Sequence, residues 1–85
     1  MKKSIRLENW STYLIPGQVR LVGEVYGDPR GRADGKEVLT SQVKLVADGA
    51  VITESGTKYV LGAPRYEETE ATIVSHLEGQ KGLMH

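Results

Sequence analysis

Arg30 and Arg32 stand two residues apart in the stretch Gly27-Asp28-Pro29-Arg30-Gly31-Arg32-Ala33-Asp34-Gly35-Lys36. Each guanidinium is a planar fork that can hold a phosphate or carboxylate through two parallel N–H···O bonds. The glycines between them let the backbone approach a ligand and offer bare N–H groups. Tyr26 enters the stretch and Thr40-Ser41 follow it, adding a ring face and two hydroxyls. The chemistry within reach of this set is anion recognition. It is not a P-loop, because the glycine spacing and the Lys-Ser/Thr ending are wrong. The same residues have a passive reading, a crossover closed on itself by Arg–Asp pairs.

Other chemistries lack their parts. Covalent catalysis needs a nucleophile beside a base. His76 falls in a helical stretch and His85 ends the chain, and neither has a motif around it. Glu67, Glu68 and Glu70 are crowded carboxylates, but they read as the solvated start of a helix, where they suit the positive end of its dipole. Asp28 and Asp34 read as turn formers, whose side chains bond nearby backbone. There is no cysteine, hence no disulfide, thiolate metal site or cysteine nucleophile. No metal-ligand spacing appears. The expectation is a binding protein, not an enzyme, with no cofactor and no metal.

Eleven basic residues balance eleven acidic ones, which argues against a basic nucleic-acid-coating protein. The charge is uneven: residues 1–36 carry seven basic against four acidic, and residues 65–78 one against four. Such an asymmetry can steer a partner or pair head to tail between subunits. No apolar run follows Lys2-Lys3, so a signal peptide is not expected. Nothing is long enough to span a membrane, and a cytoplasmic location is expected. A single domain of 85 residues has a thin core, and with no disulfide a homo-oligomer is the expected source of extra buried surface.

The elements that must position the arginines are mainly β. Ile5, Leu7 and Asn9 alternate with Arg6, Glu8 and Trp10 in a first strand, with Trp10 read as core. Pro16-Gly17 makes a turn. Val19, Leu21, Gly23 and Val25 then share an inward face. After the arginine loop, Val38–Val46 reads as one strand with Leu39, Ser41, Val43 and Leu45 on its apolar face. Asp48-Gly49 is a type I′ hairpin signal, because both positions readily take positive φ. Ser55-Gly56 makes another turn between strands over Ala50–Glu54 and Thr57–Leu61. Tyr66, Ile73, Val74 and Leu77 lie at helical spacing, with Gly79 as the C-cap. The expected fold is mainly β (α+β): a small antiparallel meander or barrel of about five strands with one C-terminal helix. It forms a single domain over residues 1–79, with 80–85 a flexible tail.

The run Leu21-Val22-Gly23-Glu24-Val25-Tyr26-Gly27-Asp28-Pro29-Arg30 is followed by Asp34-Gly35 and Thr40-Ser41-Gln42-Val43. Ser55-Gly56-Thr57-Lys58-Tyr59-Val60-Leu61-Gly62 continues it, so that roughly residues 19–66 are covered. This pattern resembles small phage and prophage proteins, and loosely the Thoeris anti-defence proteins that sequester nucleotide-like immune signals inside oligomers. The resemblance implies a phage-encoded counter-defence protein that binds such a signal without cutting it. Arg30 and Arg32 would neutralise phosphate, and Tyr26 or Tyr59 would stack on a base. The ligand-binding set is then Tyr26, Arg30, Arg32, Thr40, Ser41 and Tyr59. The competing expectation is a phage-type inhibitor, similar to an anti-CRISPR, whose partner is a host defence protein. A single-stranded nucleic-acid binder is disfavoured by the five aromatics and the zero charge balance.

Overall fold

A computed structural model describes residues 4–83. Lys2, Lys3 and His85 lie outside the described residues. Six strands form one sheet: β1 (Ile5–Ile15), β2 (Gln18–Tyr26), β3 (Lys36–Leu39), β4 (Val43–Ala47), β5 (Ala50–Thr53) and β6 (Lys58–Leu61). One helix, α1 (Glu70–Leu83), follows. The strand order is β3-β2-β1-β6-β5-β4. Two antiparallel meanders, β1-β2-β3 and β4-β5-β6, meet along a parallel β1–β6 pair in which Ile5, Arg6 and Leu7 face Tyr59, Val60 and Leu61. The sheet is therefore mixed where a purely antiparallel one was expected.

The two edge strands, β3 and β4, are consecutive in the chain and separated only by Thr40, Ser41 and Gln42. A flat six-stranded sheet would hold its edges about 24 Å apart. The chain from Leu39 to Val43 spans at most about 14 Å. The sheet must roll, and its concave side encloses the core. Ile5, Leu7, Trp10, Val19, Leu21, Val25, Val38, Val43, Val51 and Tyr59 are buried there, and Ile73 of α1 seals it.

The turns follow local chemistry. Asp48 and Gly49 both have positive φ, 53° and 74°, and join Ala47 to its partner Ala50 in a two-residue hairpin. Pro16-Gly17 joins the paired residues Ile15 and Gln18, with Gly17 at φ 79°.

Several expectations need correction. β1 does not end at Trp10. Asn9 adopts φ 51°, and the pairing slips between Glu8 and Ser11, so Asn9 and Trp10 together oppose Gly23. This bulge turns Trp10 back into the core, where strict alternation would have placed it beside Arg6 and Glu8. The indole Nε1 donates to Gly62 O at 2.9 Å.

The expected strand Val38–Val46 is two strands on opposite edges. Leu39 and Leu45, expected inward, are about half exposed (47% and 53%). In β3 it is Val38 that faces the core, opposite Gly23. In β4 a register shift between Val43 and Leu45 sends Val43 inward and Leu45 outward.

The helix starts at Glu70, so only the last of the three carboxylates falls in its first turn. Glu68 lies before α1 and accepts from Thr12 N at 3.2 Å and Thr12 Oγ1 at 2.6 Å. Tyr66 is also outside the helix and exposed, and Val74 is partly exposed, so the inward stripe is Ile73 with Leu77. Gly79 is not a C-cap. It lacks the positive φ that such a cap requires, and the helix runs past it to Leu83. The tail expected from residue 80 is therefore helical as far as Leu83, and residues 84–85 lie outside the described residues. No helix among the described residues is long and apolar enough to cross a membrane.

Candidate functional site

The β2–β3 connection is a loop built around two aspartates. Gly27, Gly31 and Gly35 all take positive φ, between 71° and 88°. The Gly31 N–H donates to Asp28 O at 3.1 Å, and the Lys36 N–H donates to Ala33 O at 3.1 Å, making two successive turns. Asp34 Oδ1 accepts the Gly27 N–H at 3.0 Å and closes the loop across its neck. The Gly35 N–H returns the chain to Val25 O at 2.8 Å, where β3 begins pairing with β2.

Asp28 organises the centre. Its side chain is fully buried, with 0% exposure. The carboxylate accepts the Arg30 backbone N–H at 2.8 Å, Arg30 Nε at 3.3 Å, and Arg32 Nε. Burial alone would push the Asp28 pKa up. The backbone bond and the two guanidinium bonds outweigh it and hold the pKa at about 2. Burial likewise pulls the Arg32 pKa down, but the bond to Asp28 and the nearby Tyr59 hydroxyl leave it raised.

Both arginines thus spend their Nε edge on Asp28. Arg30 remains largely in solvent, its side chain 55% exposed. Arg32 is more enclosed at 28%, and its Nη2 is buried with no hydrogen-bond partner among the described residues. An unsatisfied buried donor costs about 1–3 kcal/mol of desolvation. The Arg30 fork, by contrast, stands in solvent, where a phosphate or carboxylate oxygen can reach it.

The other expected site residues fall in different places. Tyr59 adjoins Arg32, but its ring is buried in the core and only its hydroxyl end faces the guanidinium. Tyr26 lies on the convex face. Its hydroxyl donates to Glu24 Oε1 at 3.2 Å, and Arg6 covers its ring at 5.1 Å. Thr40 is buried and serves the backbone: Oγ1 accepts the Leu21 N–H at 3.0 Å and donates to Ser41 O at 2.8 Å. Ser41 joins a hydroxyl cluster with Ser55, at 3.2 Å, beside Thr53 and Thr57. The loop returns to β2 at Val25 and Thr40 pairs with Leu21, which are roughly 13 Å apart along the strand. The structure therefore unites Arg30, Arg32 and Tyr59 and separates them from Thr40 and Ser41.

Sequence reasoning passed over Asp28 as an ordinary turn former. The signal was present in the spacing Asp28-x-Arg30-x-Arg32, in which one carboxylate two residues before an arginine can cap its N–H and bind its side chain. Among the described residues, no group of three or more His, Asp and Glu is placed to hold a metal ion.

Comparison with family models, with curated proteins and with solved structures returned no match. The functional reading accordingly rests on the geometry of this loop.

Proposed function

We propose that this chain is a binding protein for a small phosphate-bearing molecule, gripped by Arg30 and Arg32 and not chemically altered. One observation carries the reading: the buried Asp28 carboxylate fixes the Nε of both guanidinium groups, while Arg30 keeps its outer edge in solvent. A guanidinium held by one edge loses less freedom when a ligand takes the other, which favours binding. Arg32, less exposed and held by the same carboxylate, adds a second positive charge beside it. A nucleotide-like immune signal fits this chemistry and the resemblance drawn from the sequence. The role is then that of a cytoplasmic, phage-encoded sponge, with a second copy of the chain completing the enclosure.

Calorimetry with pyrophosphate and with a cyclic dinucleotide tests the reading. Both should give saturable heat, the dinucleotide more, since it adds apolar ring contacts. No heat from either, at on the order of 100 μM protein, removes it.

A second reading, an inhibitor that docks on a host protein, draws on the convex face. Leu45 and Ile52 are direct cross-strand neighbours and both are exposed, as is Val60 on the next strand. Contiguous apolar surface of this kind marks protein contacts. Co-purification of a host protein that Leu45→Glu abolishes supports this alternative.

A further inference from the structure

β3 forms one edge of the sheet and pairs with β2 alone. Antiparallel pairing directs the backbone groups of alternate residues toward the neighbouring strand and those between them away from it. The Thr40 N–H donates to Leu21 O at 2.8 Å, so Thr40 and Val38 address β2. Glu37 and Leu39 therefore present their N–H and C=O groups outward. Both residues are exposed, and among the described residues no hydrogen bond reaches either backbone. Natural edges of this kind are blocked by proline, by a bulge, by a covering element or by charge. β3 contains no proline and pairs with β2 in unbroken register, and among the described residues no other strand or helix packs closely on it. Its one acid, Glu37, is ion-paired to Arg65 at 2.8 Å.

The two ends of this edge and its outer face set what it can receive. A strand added antiparallel runs from Thr40 toward Lys36. It brings its C-terminus to the arginine loop, which ends at Gly35, one residue before β3. Lys36 is exposed there, and Arg30 keeps its outer guanidinium edge in solvent. A parallel strand would bring its ammonium terminus to the same cations. On the convex face Leu39 stands beside its partner Val22 and is 47% exposed. Residues directly opposite in a sheet share a face, so an added residue opposite Leu39 packs on this apolar pair.

We infer that the β3 edge takes up the C-terminal tail of another protein as a seventh strand, antiparallel to β3. The last residue of the tail pairs with Glu37, and its free carboxylate is held by Lys36 and Arg30. The residue two before the last pairs with Leu39 and is apolar. Backbone hydrogen bonds give such additions their affinity, and alternate side chains give them selectivity. The site shares Arg30 with the phosphate reading but needs an edge that the phosphate reading does not use.

The test is fluorescence anisotropy with a labelled peptide, Thr-Thr-Thr-Val-Ser-Val, carrying a free C-terminal carboxylate. It should bind saturably. Its C-terminal amide should bind at least about tenfold more weakly, and so should the peptide N-methylated at its first valine, whose N–H would meet Leu39 O. Leu39→Pro removes an outward donor that bonds nothing within the described chain, and edge strands tolerate proline at such a position. It should lose the peptide and keep its heat with pyrophosphate. No saturable binding at up to on the order of 1 mM protein overturns the inference. Equal binding of the amide overturns capture of the terminus. Equal binding of the N-methyl peptide overturns strand addition, whether or not Leu39→Pro folds. A dimer that forms without peptide and that Leu39→Pro dissociates would give the edge to a second copy instead, against the inference. Pyrophosphate heat is read separately, so its absence removes the phosphate reading and leaves peptide binding to stand or fall by itself.

Discussion

Asp28 Oδ1 accepts two hydrogen bonds from Arg30, one from its backbone N–H at 2.8 Å and one from Nε at 3.3 Å. The same carboxylate holds Arg32. Together these bonds overcome the effect of burial and set the Asp28 pKa at about 2, against an ordinary 3.8. The folded chain therefore binds this proton more weakly than the unfolded chain. The stability that Asp28 contributes is fully present above pH 3.8 and is lost as pH falls through about 2. Denaturant unfolding from about pH 2 to about pH 6 should show this loss, and Asp28→Asn should be less stable at the upper end with a flatter acid limb. An acid limb of equal steepness in Asp28→Asn would remove Asp28 as its source.

Tyr26 titrates in the opposite sense. Its hydrogen bond to Glu24 raises its pKa above 10.0, burial and the Glu24 charge add to that, and Arg6 pulls the other way. A raised folded pKa means that stability is present below pH 10.0 and lost as pH rises through the folded value. Glu24→Gln should bring Tyr26 back toward its ordinary range. The measurement is an absorbance titration of tyrosinate, in which one component should move to lower pH. Superimposable curves for the two proteins contradict the coupling.

Gly23 is required by the β1 bulge. A Cβ there would stand 2.9 Å from Leu7 Cγ and 3.0 Å from the Glu8 carbonyl oxygen. Leu7 is fully buried, and a backbone oxygen cannot rotate away. Gly23→Ala should cost about 1–3 kcal/mol of stability in urea unfolding, the range for overpacking a close-fitted core. A cost near zero means that the bulge relaxes and does not fix the position of Trp10.

Gly79→Ala should do the reverse. The position is helical, φ is not positive, and the space above it is open. Replacing it should stabilise the chain by about 0.5–1 kcal/mol through helix propensity. For a domain of this size that raises the thermal midpoint by several degrees, at about 4–8 °C per kcal/mol. A fall in the midpoint, followed by circular dichroism, argues that α1 ends before this residue.

What the sequence revealed, and what it hid, divides by range. The Asp48-Gly49 hairpin was legible because two adjacent residues carry its positive φ values. The inward face of Val19, Leu21, Gly23 and Val25 was legible because β2 is regular from end to end. The bulge at Asn9 was not, since it answers to Gly23 on another strand. Neither was the break at Thr40–Gln42, where the chain passes from one sheet edge to the other and the alternation restarts on new parity. Within the site, Arg30 and Arg32 stood out by type. The separation of Thr40 and Ser41 from them depends on β3 running away from the loop, and Glu68 reaching Thr12 depends on the segment after β6 lying beside β1. Pairings across that distance leave no local period to read.

Arg30 and Arg32 should separate under mutation, and the difference distinguishes a binding loop from a mere closure. Arg30 is the more exposed and shares Asp28 with a second cation, so Arg30→Ala should leave the thermal midpoint nearly unchanged. Arg32 lies deeper, against Tyr59, and Arg32→Ala strips the buried carboxylate of a partner and lowers the midpoint. In a passive closure, those two stability effects are all that follows. In a binding loop, Arg30→Ala also loses most of the calorimetric response to pyrophosphate while the fold stays intact. Arg30→Lys, which keeps the charge without the planar fork, should recover only part of it. Pyrophosphate heat that survives Arg30→Ala at full strength would assign the ligand to another surface, and the Asp28 cluster would then be a loop clamp.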